Sequence, residues 1–154
     1  MDTCIERVVY ADTHEVYELA AAVENWPRIL PHYRWVRVVE VMTDGSRAVE
    51  MAARREVLWS LGVPLHWLAI QKVQPDVPRI TFEHIGGLTR GMQVAWTFDV
   101  LADRALRVQI RHVFEPSWPV PDQLVRLVVG EYFVNGVAAR TLRCIGALAE
   151  ARSS

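Results

Sequence analysis

The stretch that decides the fold is Pro121 to Ala151, PDQLVRLVVGEYFVNGVAARTLRCIGALAEA. At the helical spacing, Leu124, Leu127, Val128, Val134, Ala138, Leu142, Ile145 and Ala149 fall on one side. Asp122, Arg126, Arg140, Arg143 and Glu150 fall on the other. This predicts an amphipathic helix roughly 45 Å long at 1.5 Å per residue. Pro119 and Pro121 stop anything helical from running in from upstream, and Asp122 suits the positive end of the helix dipole. A lone helix of this length needs a cover for its apolar stripe. Most of what precedes it has strand character, so the expected cover is a sheet.

Glu131 and Asn135 interrupt the stripe, one turn apart. A charged side chain facing a dry core costs several kcal/mol unless it is paired. Two readings follow. Either the helix is rotated or kinked at Gly130 and Gly136 and leaves both residues at a wet edge, or it roofs a cavity into which both point. Val125, Val129, Tyr132 and Phe133 lie off the main stripe, to be covered by loops carrying Trp59 and Trp118 or to form a dimer patch.

Working outward, the chain has 154 residues, 51% apolar and 23% charged, with a net charge of −1. That is one ordinary globular domain, residues 1–154, without the basic footprint of a nucleic-acid binder. No apolar run is long enough to span a bilayer. The opening MDTCIERVVY has Asp2, Glu6 and Arg7 where a signal peptide needs apolar residues, so the expected location is cytoplasmic. Cys4 and Cys144 are expected to be small buried apolar residues, not a disulfide. The six tryptophans supply broad rigid walls, and each one taken alone is more simply read as plain core.

In chain order, Thr3 to Ala11 has the β-branched content of a strand. Asp12 or Thr13 starts a helix, with Glu15 placed for a capping box and Asn25 as its end. ENWPRILPHY is a short helix or turn broken by Pro27 and Pro31. Strands follow over Tyr33–Thr43, Arg47–Val57, Leu65–Gln74, Arg79–Ile85, Met92–Leu101 and Leu106–Phe114. Asp44-Gly45 is a hairpin turn and LWSLGVP a loop or bulge. Met92, Val94, Trp96, Phe98 and Val100 share one strand face. Leu106, Val108, Ile110, His112 and Phe114 share another, opposite Arg107, Gln109 and Arg111. The fold class predicted is α+β: a curved antiparallel sheet of about seven strands around a long C-terminal helix, with two short helices after the first strand.

VVYADTHEVYELAAAVENWPRILPHYRWVRVVEV, then MQVAWTFDV, LRVQIRHVFEP and the terminal helix together resemble the START/Bet v 1-like helix-grip (SRPBCC) superfamily. Within it the chain resembles the polyketide cyclase/dehydrase and coenzyme Q-binding group over nearly its whole length. The proline usual after the first strand is Thr13 here, which alters only the helix start. The resemblance implies a cavity between sheet and last helix for a polyketide, lipid or quinone. It extends to cyclisation or dehydration in some members and to carriage or protein interaction in others, so fold does not settle function.

Three residues are candidates for chemistry. His112 lies between Ile110 and Phe114 on an apolar strand face, where an imidazole orients a ligand oxygen or moves a proton, or is a core histidine satisfied by a carbonyl. Arg55 follows Val49, Met51 and Ala53 on one face. It points inward to pair with Glu131 and stabilise an oxyanion, or a bulge turns it out. In the enzymatic version His112 is the acid/base, Arg55 holds oxyanion charge, and Glu131 holds Arg55 or acts as base. Trp35, Met51, Trp67, His84, Trp96, Phe98, Asn135 and Ala138 are the candidate ligand contacts, with Ala53, Ala69 and Ala138 leaving room. The glycine-rich GGLTRG lacks a phosphate cradle's Gly-Lys-Ser/Thr ending, and the histidines lack metal spacing, so no metal and no cofactor is expected. The expected state is a monomer or weak homodimer holding a hydrophobic small molecule.

Overall fold

The computed structural model describes residues 1–57, 61–116 and 119–153. Strand β1 (Asp2–Val9) leads into helix α1 (Thr13–Ala21), a single 3-10 turn (Val23–Asn25) and helix α2 (Trp26–Ile29). Six strands follow: β2 (Tyr33–Val41), β3 (Arg47–Val57), β4 (Leu61–Gln74), β5 (Arg79–Gly87), β6 (Met92–Ala102) and β7 (Ala105–Phe114). A helical rod closes the chain. It comprises α3 (Asp122–Val125), a π-helical segment (Arg126–Ala138) and α4 (Ala139–Ser153). The seven strands form one antiparallel sheet in the order β1-β7-β6-β5-β4-β3-β2. This is the helix-grip arrangement that the strand and helix periodicities predict.

From β2 to β7 the sheet is a meander, each strand pairing antiparallel with the next in the chain. In the β2–β3 hairpin Gly45 adopts φ 87°, and the Asp44 carboxylate accepts from the Ser46 backbone N–H at 2.9 Å. β1 is the exception. It pairs with β7, where the N-terminal ammonium donates to the Phe114 carbonyl at 2.8 Å. The alternation read in the sequence places Met92, Val94, Trp96 and Phe98 inward, together with Leu106, Val108, Ile110, His112 and Phe114. Val100 keeps the register, opposite Leu106, but is exposed near the hairpin at the end of β6. Outward-facing Gln109 and Arg111 bind Glu6 and Asp2 of the edge strand.

Several boundaries differ from expectation. β1 stops at Val9, and α1 ends at Ala21 because the chain tightens into the 3-10 turn before Trp26. Asp12 is the N-cap of α1, but its side chain makes no capping hydrogen bond; its carbonyl accepts from Val16 N–H. β4 starts at Leu61, so the strand takes up part of the segment read as loop. Trp59 and Trp118, expected in covering loops, lie outside the described residues. Cys4 is exposed on the edge strand, not buried, because its position points to the outer face.

The largest departure is in the rod. Val125, Val129, Phe133 and Val137 are buried, whereas Leu124, Leu127, Glu131 and Asn135 are exposed. Val125, Val129 and Phe133, expected on the outer side, therefore lie on the inward stripe, together with Val134 and Ala138, which are buried as expected. Winding is the cause. The Ala139 N–H donates to the Val134 carbonyl, five residues back, so each turn holds more residues than an α-turn. A wheel drawn at α spacing is correct for α4, where Leu142, Ile145 and Ala149 are buried, and goes out of phase upstream. Of the two readings of Glu131 and Asn135, the wet edge is the one realised.

Candidate functional site

Between the concave sheet face and the rod lies a cavity of about 30 Å³. That is room for a water molecule. The strands contribute Tyr33, Met51, Trp67, Phe82, His84, Val94, Trp96, Ile110 and His112 to its walls. Trp26 of α2 closes one side, and Phe133, Val137, Ala138 and Thr141 come from the rod.

The polar end is built by β5 and β7. A register shift between Leu68 and Ala69 lets Ile85 bulge outward, so that His84 pairs with Ala69 and Gly87 with Trp67. Gly87 has φ 91°, and a Cβ there would lie 2.4 Å from the His66 carbonyl oxygen; only glycine allows this approach. The result is that the Trp67 and His84 rings stack in parallel, 6.0 Å apart with 4° between planes. His84 Nδ1 is 2.6 Å from the Thr89 hydroxyl. Burial pushes the His84 pKa down to about 3, and the neighbouring His112 adds to the shift.

His112 sits beside it on β7, paired across the ladder with Val94. It is fully buried, and neither ring nitrogen has a hydrogen-bond partner among the described residues. Burial pushes its pKa down to about 4, so the ring is neutral near pH 7, with one N–H donor and one acceptor. Phe133 stands edge-on to three of these rings: Trp67 at 5.2 Å, His84 at 5.4 Å and His112 at 6.1 Å.

At the far end of the π-helical segment, the Thr141 hydroxyl donates to the Val137 carbonyl at 2.9 Å and lies 2.8 Å from His32 Nε2. His32 is held neutral, its pKa lowered to about 4 by burial first and by the nearby Arg140 and Arg143 charges. Burial also raises the pKa of the Tyr33 phenol. Trp26 is fixed by its indole N–H, which donates to the Leu19 carbonyl at 3.0 Å.

Of the residues singled out from sequence, Met51, Trp67, His84, Trp96, His112 and Ala138 meet at this cavity. Others do not. Trp35 lies on the outer face of the sheet because a bulge between Tyr33 and Trp35 inverts the alternation. Its ring sits 5.5 Å from exposed His66, and the Arg37 guanidinium carbon is 4.4 Å above it. Phe98 is buried on the inner face but packs edge-on against Tyr17 of α1, 5.6 Å away, instead of lining the cavity. Glu131 and Asn135 are exposed on the rod. Arg55 pairs with Val63 through its backbone, and its side chain lies outside what is described. Tyr33, Trp26, Phe82 and Phe133 were not singled out as ligand contacts. Phe82 shares a strand face with His84 and was legible by alternation. Phe133 was hidden by the π winding.

The curled sheet and the closing rod define a helix-grip protein with a ring-lined interior. Residues 9–139 match the family described as polyketide cyclase / dehydrase and lipid transport, and the chain belongs to that family. Solved structures agree on the fold. A Thermus thermophilus protein is 20% identical with TM-score 0.78, all of both chains being covered. The Zhui aromatase/cyclase of a Streptomyces species is 17% identical with TM-score 0.81, covering 100% of this chain and 96% of that one. A START superfamily protein of Mycobacterium smegmatis is 15% identical with TM-score 0.71, covering 96% and 98%. No curated protein matches this sequence. Among the described residues no helix is long and apolar enough to cross a membrane.

Proposed function

We propose that this protein binds a polyketide-like small molecule between sheet and rod. The ligand is apolar over most of its surface and carries a carbonyl or hydroxyl oxygen held by His112, with His84 beside it. The observation that carries the reading is His112, fully buried at the cavity with neither ring nitrogen partnered. An orphaned buried polar group costs about 1–3 kcal/mol, which a ligand oxygen recovers on binding.

The protonation state favours a particular role. An imidazole with a pKa near 4 is a poor base at neutral pH but a competent N–H donor. Aimed at a ligand carbonyl, it stabilises negative charge developing on that oxygen during cyclisation or dehydration. Arg55 is the second group proposed for that oxyanion. The family description names both polyketide cyclase / dehydrase and lipid transport and so accommodates this chemistry, and one solved structure with the same fold is an aromatase/cyclase.

Native mass spectrometry of freshly purified protein, with extraction of what is bound, tests the ligand class. An oxygenated polycyclic or poly-keto compound is expected; a copurifying acyl lipid or quinone would overturn the polyketide reading. The role of His112 is tested with naphthol and naphthalene. Wild type should prefer naphthol about ten-fold, the worth of one hydrogen bond. His112→Phe should bind both alike. Equal affinities in wild type would remove the basis for the reading.

A further inference from the structure

A cavity of about 30 Å³ cannot hold the ligand proposed above, since ligand pockets run to roughly 300–1,000 Å³. Something must leave, and the structure points to Phe133. The rod's other contributions to the cavity wall, Val137, Ala138 and Thr141, are small. Among the described residues of the rod, Phe133 is the one whose ring contacts Trp67, His84 and His112 together. It is also carried by the π-helical segment, a winding that is rare beyond a single turn and frequent at functional sites.

The geometry of the alternative register follows from α4. With Ile145 as the inward reference, continuing α winding upstream at about 100° per residue puts Phe133 about 120° off the inward direction and Val129 about 160° off. Leu127 falls in line with Ile145, Glu131 within about 40° and Val134 within about 20°. In the present π register the arrangement is reversed. Phe133 and Val129 are buried, while Leu127 and Glu131 are exposed; Val134 is inward in both.

We propose that residues 126–138 switch between two registers, and that ligand entry drives them from π to α winding. Phe133 and Val129 then swing out of the interior, and Leu127 and Glu131 turn in. The π form is a plugged interior. The α form withdraws the phenyl ring from among Trp67, His84 and His112 and brings a carboxylate to the ligand side of the rod. Gly130 and Gly136 within the segment lower the barrier by leaving the backbone unencumbered. Thr141 and His32, gripping the Val137–Thr141 turn, mark the fixed end about which the segment rewinds. The inference rests on the cavity being the ligand site.

Thiol labelling separates the two. In a Cys4→Ser/Cys144→Ser background, Leu127→Cys should react rapidly with a maleimide and Val129→Cys slowly. Saturating naphthol should slow the first and speed the second, each by ten-fold or more. Phe133→Ala removes the plug and should bind naphthol at least ten-fold more tightly than wild type, just as an engineered apolar cavity of about 150 Å³ accepts benzene. Phe133→Val serves if the alanine variant loses its near-UV dichroism. Naphthol binding with both labelling rates unchanged would overturn the register switch and leave the site standing. No binding by wild type or by either Phe133 variant would overturn the site itself.

Discussion

Phe133 stands edge-on to His112, with 6.1 Å between ring centroids and 82° between planes. The contact joins the rod to the strand that carries the unpartnered imidazole. Both residues are buried, and the hydrogens on the phenyl edge satisfy neither nitrogen of His112. The core is therefore filled but polar-deficient at His112, a pattern common where stability has been traded for binding.

Replacing His112 by leucine should raise stability or leave it unchanged within about 1 kcal/mol, because two unsatisfied nitrogens are exchanged for apolar atoms. Urea denaturation at pH 7 measures this. A loss above about 2 kcal/mol would mean that His112 has a structural partner after all.

Stability should fall as the solution is made acidic. His32, His84 and His112 have folded values of about 4, 3 and 4, all depressed by burial, against about 6.5 in the unfolded chain. Below that value the unfolded state binds protons that the folded state refuses. The contribution is fully present above about pH 6.5 and is lost as pH drops through the folded values. Urea midpoints at pH 7, 6 and 5 should decline steadily, and less steeply in His112→Leu. A flat profile would contradict the burial of these rings.

Gly87→Ala should destabilise the fold by about 2–4 kcal/mol, since both the positive φ and the 2.4 Å approach to the His66 carbonyl forbid a Cβ. Near-UV dichroism should report a disturbed Trp67 as well. A variant that melts with wild type would show that β4 and β5 can separate freely at this point.

Thr141→Val keeps the shape but removes the donor to the Val137 carbonyl and the partner of His32 Nε2. A cost of about 1–3 kcal/mol is expected by thermal melting, with faster hydrogen exchange in residues 126–138. Unaltered exchange there would argue that Thr141 does not anchor the segment.

The strand content and inward faces were legible because the side-chain period of a strand is set by the pleat and survives any packing. Met92, Val94 and Trp96, or Leu106, Val108 and Ile110, read the same alone as in the sheet. Trp35 was misplaced because the bulge between Tyr33 and Trp35 leaves no mark in the sequence. Phe98 was on the right face, but only the packing of Tyr17 decides that it is covered by α1 and not by the rod.

Alternation and amphipathicity in the chain alone determined an antiparallel sheet gripping a terminal helix, and they marked His84 and His112 as polar groups on apolar faces. The winding of that helix was decided only in three dimensions. A helical stripe is read by assuming a turn of 3.6 residues, and the i→i+5 bonding upstream of Ala139 breaks that assumption where the rod meets the sheet. Whether Phe133 or Glu131 faces the interior, and hence how much space is left there, depends on that contact and not on local propensity.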